Sequence, residues 1–133
     1  MKILTRLLPL ILPCLTLAGC HKDDASLTNP VGRWKLVNRR CECAPTPTPN
    51  AIVAFTATDF RFYEDDTLVS AGTYAGTKAT VCGSSGPAPA LHFTYTTSAH
   101  FPVDAAITVK GSNLILDYGD ECDYPVDTYE LMP

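Results

Sequence analysis

Ala105-Ala106-Ile107-Thr108-Val109-Lys110, then Gly111-Ser112-Asn113, then Leu114-Ile115-Leu116-Asp117-Tyr118 is the stretch that decides the fold. Two short β-rich runs flank a connection whose Gly111 can take positive φ, which is the signature of a β-hairpin. Working backwards, Leu91–Thr97 sets Leu91, Phe93 and Tyr95 against His92, Thr94 and Thr96, a period of two that suits a strand with one buried face. Before it, Gly83-Ser84-Ser85-Gly86-Pro87 has strong turn chemistry. Forwards, the acidic turn Gly119-Asp120-Glu121-Cys122-Asp123 leads into a last strand, Val126–Leu131.

The rest of the chain keeps this rhythm. Gly32 opens a run in which Trp34 and Leu36 alternate with Lys35 and Val37, as in a strand with one buried face. Ile52–Thr56 and Asp59–Glu64 read as strands, the second with Phe60 and Phe62 on one face and Arg61 and Tyr63 on the other. Asp65-Asp66 turns the chain into Thr67–Tyr74, where Gly72 marks a bulge or the close approach of another backbone. Gly76-Thr77 then separates that run from Lys78–Cys82. Between the first two strands, Pro45, Pro47 and Pro49 forbid helix and ladder alike, so Cys41–Asn50 is expected to be an extended loop. Eight or nine short strands with turns at this spacing predict an all-β fold, a small antiparallel barrel whose closure leaves no exposed edge.

The N-terminus has a different character. Lys2 and Arg6 precede an apolar stretch from Leu7 to Leu17 that is too short to span a bilayer and suits the core of a signal peptide. Leu17-Ala18-Gly19-Cys20 resembles the lipobox of bacterial lipoproteins. The resemblance implies cleavage before Cys20, acylation of Cys20 (diacylglycerol on sulfur, a fatty acyl chain such as palmitate on the amino group) and a lipid bilayer as first partner. Several acyl chains make such an anchor nearly permanent. His21-Lys22-Asp23-Asp24 resembles the surface-export signal of some Gram-negative lipoproteins, which implies an outer-membrane protein displayed at the cell surface. The expected organisation is a signal peptide over 1–19, a lipidated tether over 20–30 and one barrel domain over 31–133.

Removal of residues 1–19 leaves 114 residues, enough for one small domain. The formal charge moves from −4 to −6, eight basic residues against fourteen acidic ones, and an acidic domain without a basic stripe excludes a nucleic-acid partner. Of six cysteines, Cys14 leaves with the signal and Cys20 is spent on lipid. Cys41, Cys43, Cys82 and Cys122 remain, in an oxidising compartment that favours two disulfides. A Cys41–Cys43 ring with one residue between is strained. Two pairings stay open: Cys41–Cys82 with Cys43–Cys122, or Cys41–Cys122 with Cys43–Cys82. The spacing does not match the paired ligands of a zinc site, so no metal is expected there.

Residues 30 to 131 together resemble a lipocalin-like domain. The matching features are Gly32-Arg33-Trp34 at the first strand, Phe60-Arg61-Phe62-Tyr63 leading through Glu64-Asp65-Asp66 to Gly72-Thr73-Tyr74, and Leu114–Tyr118 before the last strand. The resemblance implies an up-and-down barrel in which Gly32 and Trp34 form the motif of the closed end. In lipocalins an arginine of the last strand covers that tryptophan, and Val126–Met132 contains none.

No phosphate loop, His-Glu-x-x-His or Gly-x-Ser-x-Gly is present, so no catalytic residue, enzymatic activity or cofactor is expected. His92 alternates with core-facing Leu91 and Phe93 and is expected on the barrel wall, without a partner at catalytic spacing. Asp117, Asp120, Glu121 and Asp123 concentrate carboxylates without the order of a calcium loop, and a solvated turn is expected. Phe55, Phe60, Phe62, Phe93, Tyr95, Tyr118 and Tyr129 are enough either to fill a barrel or to line a pocket. The expected function is binding of a small hydrophobic ligand, its contact residues unassigned. The alternative is a structural or inhibitory lipoprotein with a filled barrel that meets a protein partner.

Overall fold

A computed structural model describes residues 29–42, 47–96 and 103–133. Cys14, Cys20, His21, most of the tether, Cys43 and His100 lie outside the described residues. Eight strands follow one another: β1 (Gly32–Arg40), β2 (Ala51–Phe55), β3 (Asp59–Glu64), β4 (Thr67–Ala79), β5 (Ala88–Tyr95), β6 (Val103–Lys110), β7 (Asn113–Asp117) and β8 (Val126–Leu131). Each pairs antiparallel with the next, and β8 returns to β1, so the sheet closes as an up-and-down barrel. Every strand finds both of its neighbours between Gly32 and Leu131. Residues 29–133 therefore carry a complete ladder and core.

Nine runs read from sequence become eight strands because Gly76 does not interrupt β4. It pairs in register with Leu91, and continuous partners on β5 from Tyr95 to Ala88 carry the ladder through it. Pro89, which has no N–H to donate, sits just outside the β5–β6 pairing that begins at Ala90. The β3–β4 turn puts Asp65 and Asp66 both at positive φ, 47° and 62°, as a two-residue turn matched to strand twist requires.

Inward-facing residues of all the strands make one core. Trp34, Leu36, Val53, Phe55, Phe60, Phe93, Leu114, Leu116 and Tyr129 are buried together. Aromatic edges meet faces through it: Phe60 lies 5.0 Å from Phe93 and 5.2 Å from Tyr95, both nearly perpendicular. Trp34 seals one end, packed beside Gly32 and Leu131, and its indole Nε1–H donates to the Pro30 carbonyl at 2.7 Å. Trp34 is buried at that end, and β8 carries no arginine to cover it.

Two bulges break the alternation. Leu36 pairs with Tyr129 and Asn38 with Thr128, leaving Val37 unpaired on β1; Phe62 pairs with Ser70 and Tyr63 with Leu68, leaving Val69 unpaired on β4. Gly72, by contrast, marks a close approach, since a Cβ there would sit 2.0 Å from the Thr94 carbonyl oxygen.

Cys82 and Cys122 are joined, which corrects both expected pairings. The β4–β5 connection lies against the β7–β8 turn, with Cys82 packed on Gly119 and Gly83 on Glu121. Sequence spacing carries no sign of that contact. Cys41 is also disulfide-bonded, to a partner outside the described residues. Closing a 40-residue separation, the Cys82–Cys122 bridge stabilises the fold by about 4 kcal/mol in a chain-entropy account.

Because the contact at Gly72 is with backbone, no rotamer change relieves it. Gly72→Ala is expected to lower stability by about 3 kcal/mol or more, read from urea unfolding midpoints.

Candidate functional site

Among the described residues, the end of the barrel opposite Trp34 is open. There the C-terminal ends of β1, β3 and β5 meet the N-terminal ends of β2, β6 and β8 around a cavity of about 460 Å³. Its wall is largely aromatic, from Phe62, Tyr95, Tyr118 and Tyr129, with Ala51 and Val103 between the rings. Tyr63, Glu64, Val69 and Tyr124 stand at the rim, Tyr124 being 58% exposed.

One charged pair is set into this wall. Arg39 donates from Nε to Asp127 Oδ1 and from Nη2 to Asp127 Oδ2, both at 2.7 Å. Two parallel bonds of this kind are the strongest arrangement open to a guanidinium and a carboxylate. Asp127 is only 2% exposed, and Tyr129 Oη–H donates a third bond to its Oδ2 at 3.1 Å. The Arg39 side chain keeps 32% of its surface. Hydrogen bonding to Asp127 raises the Arg39 pKa further, so the guanidinium is charged at every accessible pH.

The bulge at Val37 creates the pair. Alternation from Trp34 and Leu36 points Asn38 inward, but the extra residue swaps the faces, so Asn38 is exposed and Arg39 enters the barrel opposite Asp127. Asp127 itself shares parity with buried Tyr129 on β8.

Tyr118 is partly buried on the cavity wall, and its hydroxyl makes no hydrogen bond among the described residues. Burial, and then the Asp127 charge, raises the Tyr118 pKa well above 10. Burial also raises that of Tyr129, helped by Tyr118 and Asp127. Both hydroxyls stay protonated and can donate at neutral pH.

Of the aromatic residues considered from sequence, Phe62, Tyr95, Tyr118 and Tyr129 line the cavity; the polar candidates mostly fall elsewhere. His92 is half-exposed on the outer wall, its Nδ1 2.7 Å from Asp104 Oδ1 across the β5–β6 ladder. Arg61 faces solvent, whereas Tyr63 reaches the rim. In the acidic turn, Asp117 accepts the Gly119 N–H and Asp120 accepts from Arg40 Nε. Among the described residues no three His, Cys, Asp or Glu side chains converge as a metal site requires. Comparison with known proteins finds no matching family model, curated protein or solved structure.

The pair's unequal burial sets unequal costs. Arg39→Ala strands a buried carboxylate and is expected to cost about 3–5 kcal/mol, whereas Asp127→Ala leaves an arginine that water can reach and is expected to cost less. Urea titration of the two variants measures the order. The tyrosines add a pH dependence. The unfolded chain releases these protons near pH 10 while the folded state holds them, so the stability present below pH 10 falls as pH rises above it. The expected slope is about 1.4 kcal/mol per pH unit for each such tyrosine, and Tyr118→Phe with Tyr129→Phe should remove most of it.

Proposed function

We propose that this chain is a bacterial lipoprotein, held on the outer membrane by acylated Cys20, whose lipocalin-like barrel binds a small hydrophobic ligand in the open-ended cavity. The carrying observation is the cavity itself: about 460 Å³ with an aromatic wall and a few directed polar groups, which falls within the range of small-molecule sites. A barrel this small has little apolar surface to spare, so an unfilled end in an otherwise packed interior favours an occupant.

The polar cluster supports the same reading. A buried ion pair gives little net stability compared with packed apolar residues of the same size. Arg39, Asp127 and the open Tyr118 hydroxyl make better sense as groups that orient a ligand. A filled barrel meeting a protein partner draws less support, because the volume it requires to be occupied by side chains is open among the described residues. No catalytic step is assigned to the site, and the membrane attachment and surface display rest on the lipobox and on Lys22-Asp23-Asp24.

Ala51 lies on the cavity wall and is 7% exposed. Ala51→Trp is expected to block binding of the neutral fluorophore N-phenyl-1-naphthylamine to residues 29–133 while the barrel's circular dichroism persists; unchanged binding would place the ligand elsewhere. In cells of a lipoprotein-processing host, labelled palmitate should enter the full chain and not its Cys20→Ala variant.

A further inference from the structure

The charges around the cavity define what kind of head group it accepts. Arg39, Asp127 and Glu64 are the ionisable acidic and basic side chains on its wall among the described residues. Among the described residues Arg39 is the single cation on this wall, and Asp127 holds two of its donors in a bidentate bond. The pair is therefore close to neutral, and Glu64 at the rim tips the total negative.

An anionic head entering this space meets no spare counter-charge, because it must either displace Asp127 from Arg39 or lie unpaired beside it. Stranding a carboxylate in that way is strongly unfavourable. An uncharged head meets a better match. The Tyr118 hydroxyl, which makes no hydrogen bond among the described residues, can donate to it or accept from it, and the Arg39 N–H groups not used by Asp127 remain as donors. A volume of about 460 Å³ holds roughly fifteen non-hydrogen atoms, taking a methylene as similar in size to a water in the liquid.

Resting on the ligand-binding function proposed above, we infer that the site selects a neutral amphiphile: an alcohol, ester or amide head on an apolar body of about that size, in preference to a fatty carboxylate. The Arg39–Asp127 pair is then a selectivity device. It supplies donors at the mouth while cancelling the positive charge that would otherwise recruit anions.

Isothermal titration of residues 29–133 with 1-dodecanol and with dodecanoate at pH 8 tests this. The alcohol is expected to bind at least tenfold more tightly. Equal or tighter binding of dodecanoate overturns the selectivity and leaves the ligand-binding function standing; no binding of either to folded protein overturns both. Asp127→Asn keeps the side chain's shape and removes its charge, so Arg39 becomes an uncompensated cation and dodecanoate should gain at least tenfold relative to the alcohol. A folded Asp127→Asn protein with the wild-type preference overturns the assigned cause. Should that variant not fold, the wild-type comparison decides alone.

Discussion

Closure of β1 onto β8 is the constraint on which the rest of the structure depends. A closed ladder leaves no edge and gives every strand one inward and one outward face, so register at the seam decides what occupies the interior. At the seam Leu36 pairs inward with Tyr129, and Trp34 pairs with Leu131, which is exposed at the barrel's end. Beyond them the Val37 bulge changes parity and brings Arg39 opposite Asp127. One inserted residue thus divides the barrel into an apolar base sealed by Trp34 and a polar-studded open end.

That division organises the packing. Below the seam's bulge, Phe93 packs edge-to-face on Phe60 and tilted on Phe55. Above it, Tyr95, Tyr118 and Tyr129 join Phe62, and each tyrosine hydroxyl needs a partner or an opening. Tyr129 uses Asp127; Tyr118 opens to the cavity. Two loops on the sequence map, the β4–β5 connection and the β7–β8 turn, are tied by Cys82–Cys122, which limits how far the wall beside the cavity can move.

Much of this was legible in the residues. The Ala105–Tyr118 hairpin, the Asp65-Asp66 turn and the strand Asp59–Glu64 follow from local pattern and turn chemistry, and closure follows from their number and spacing. The disulfide partner of Cys82 was not legible, because it depends on which loops a tilted barrel brings together. Arg39 was hidden by the bulge: strict alternation from Trp34 sends Asn38 inward instead. A signal existed in the adjacent apolar pair Leu36-Val37, which breaks the period of two where the bulge lies. Asp127 was readable too, since it shares parity with Tyr129, a residue already counted among the aromatics of the interior.

The central claim is that a ligand enters at the Arg39–Asp127 end and stops short of the tryptophan base. Nitrogen-15 NMR of residues 29–133 during titration with N-phenyl-1-naphthylamine tests it directly, because Trp34 supplies the chain's single indole N–H and Arg39 Nε–H reports the opposite end. The account predicts saturable shifts of Arg39 Nε–H and of the Phe62, Tyr95 and Tyr118 amides, with the Trp34 indole unmoved. Shifts confined to outward-facing residues, or centred on Trp34, would contradict it.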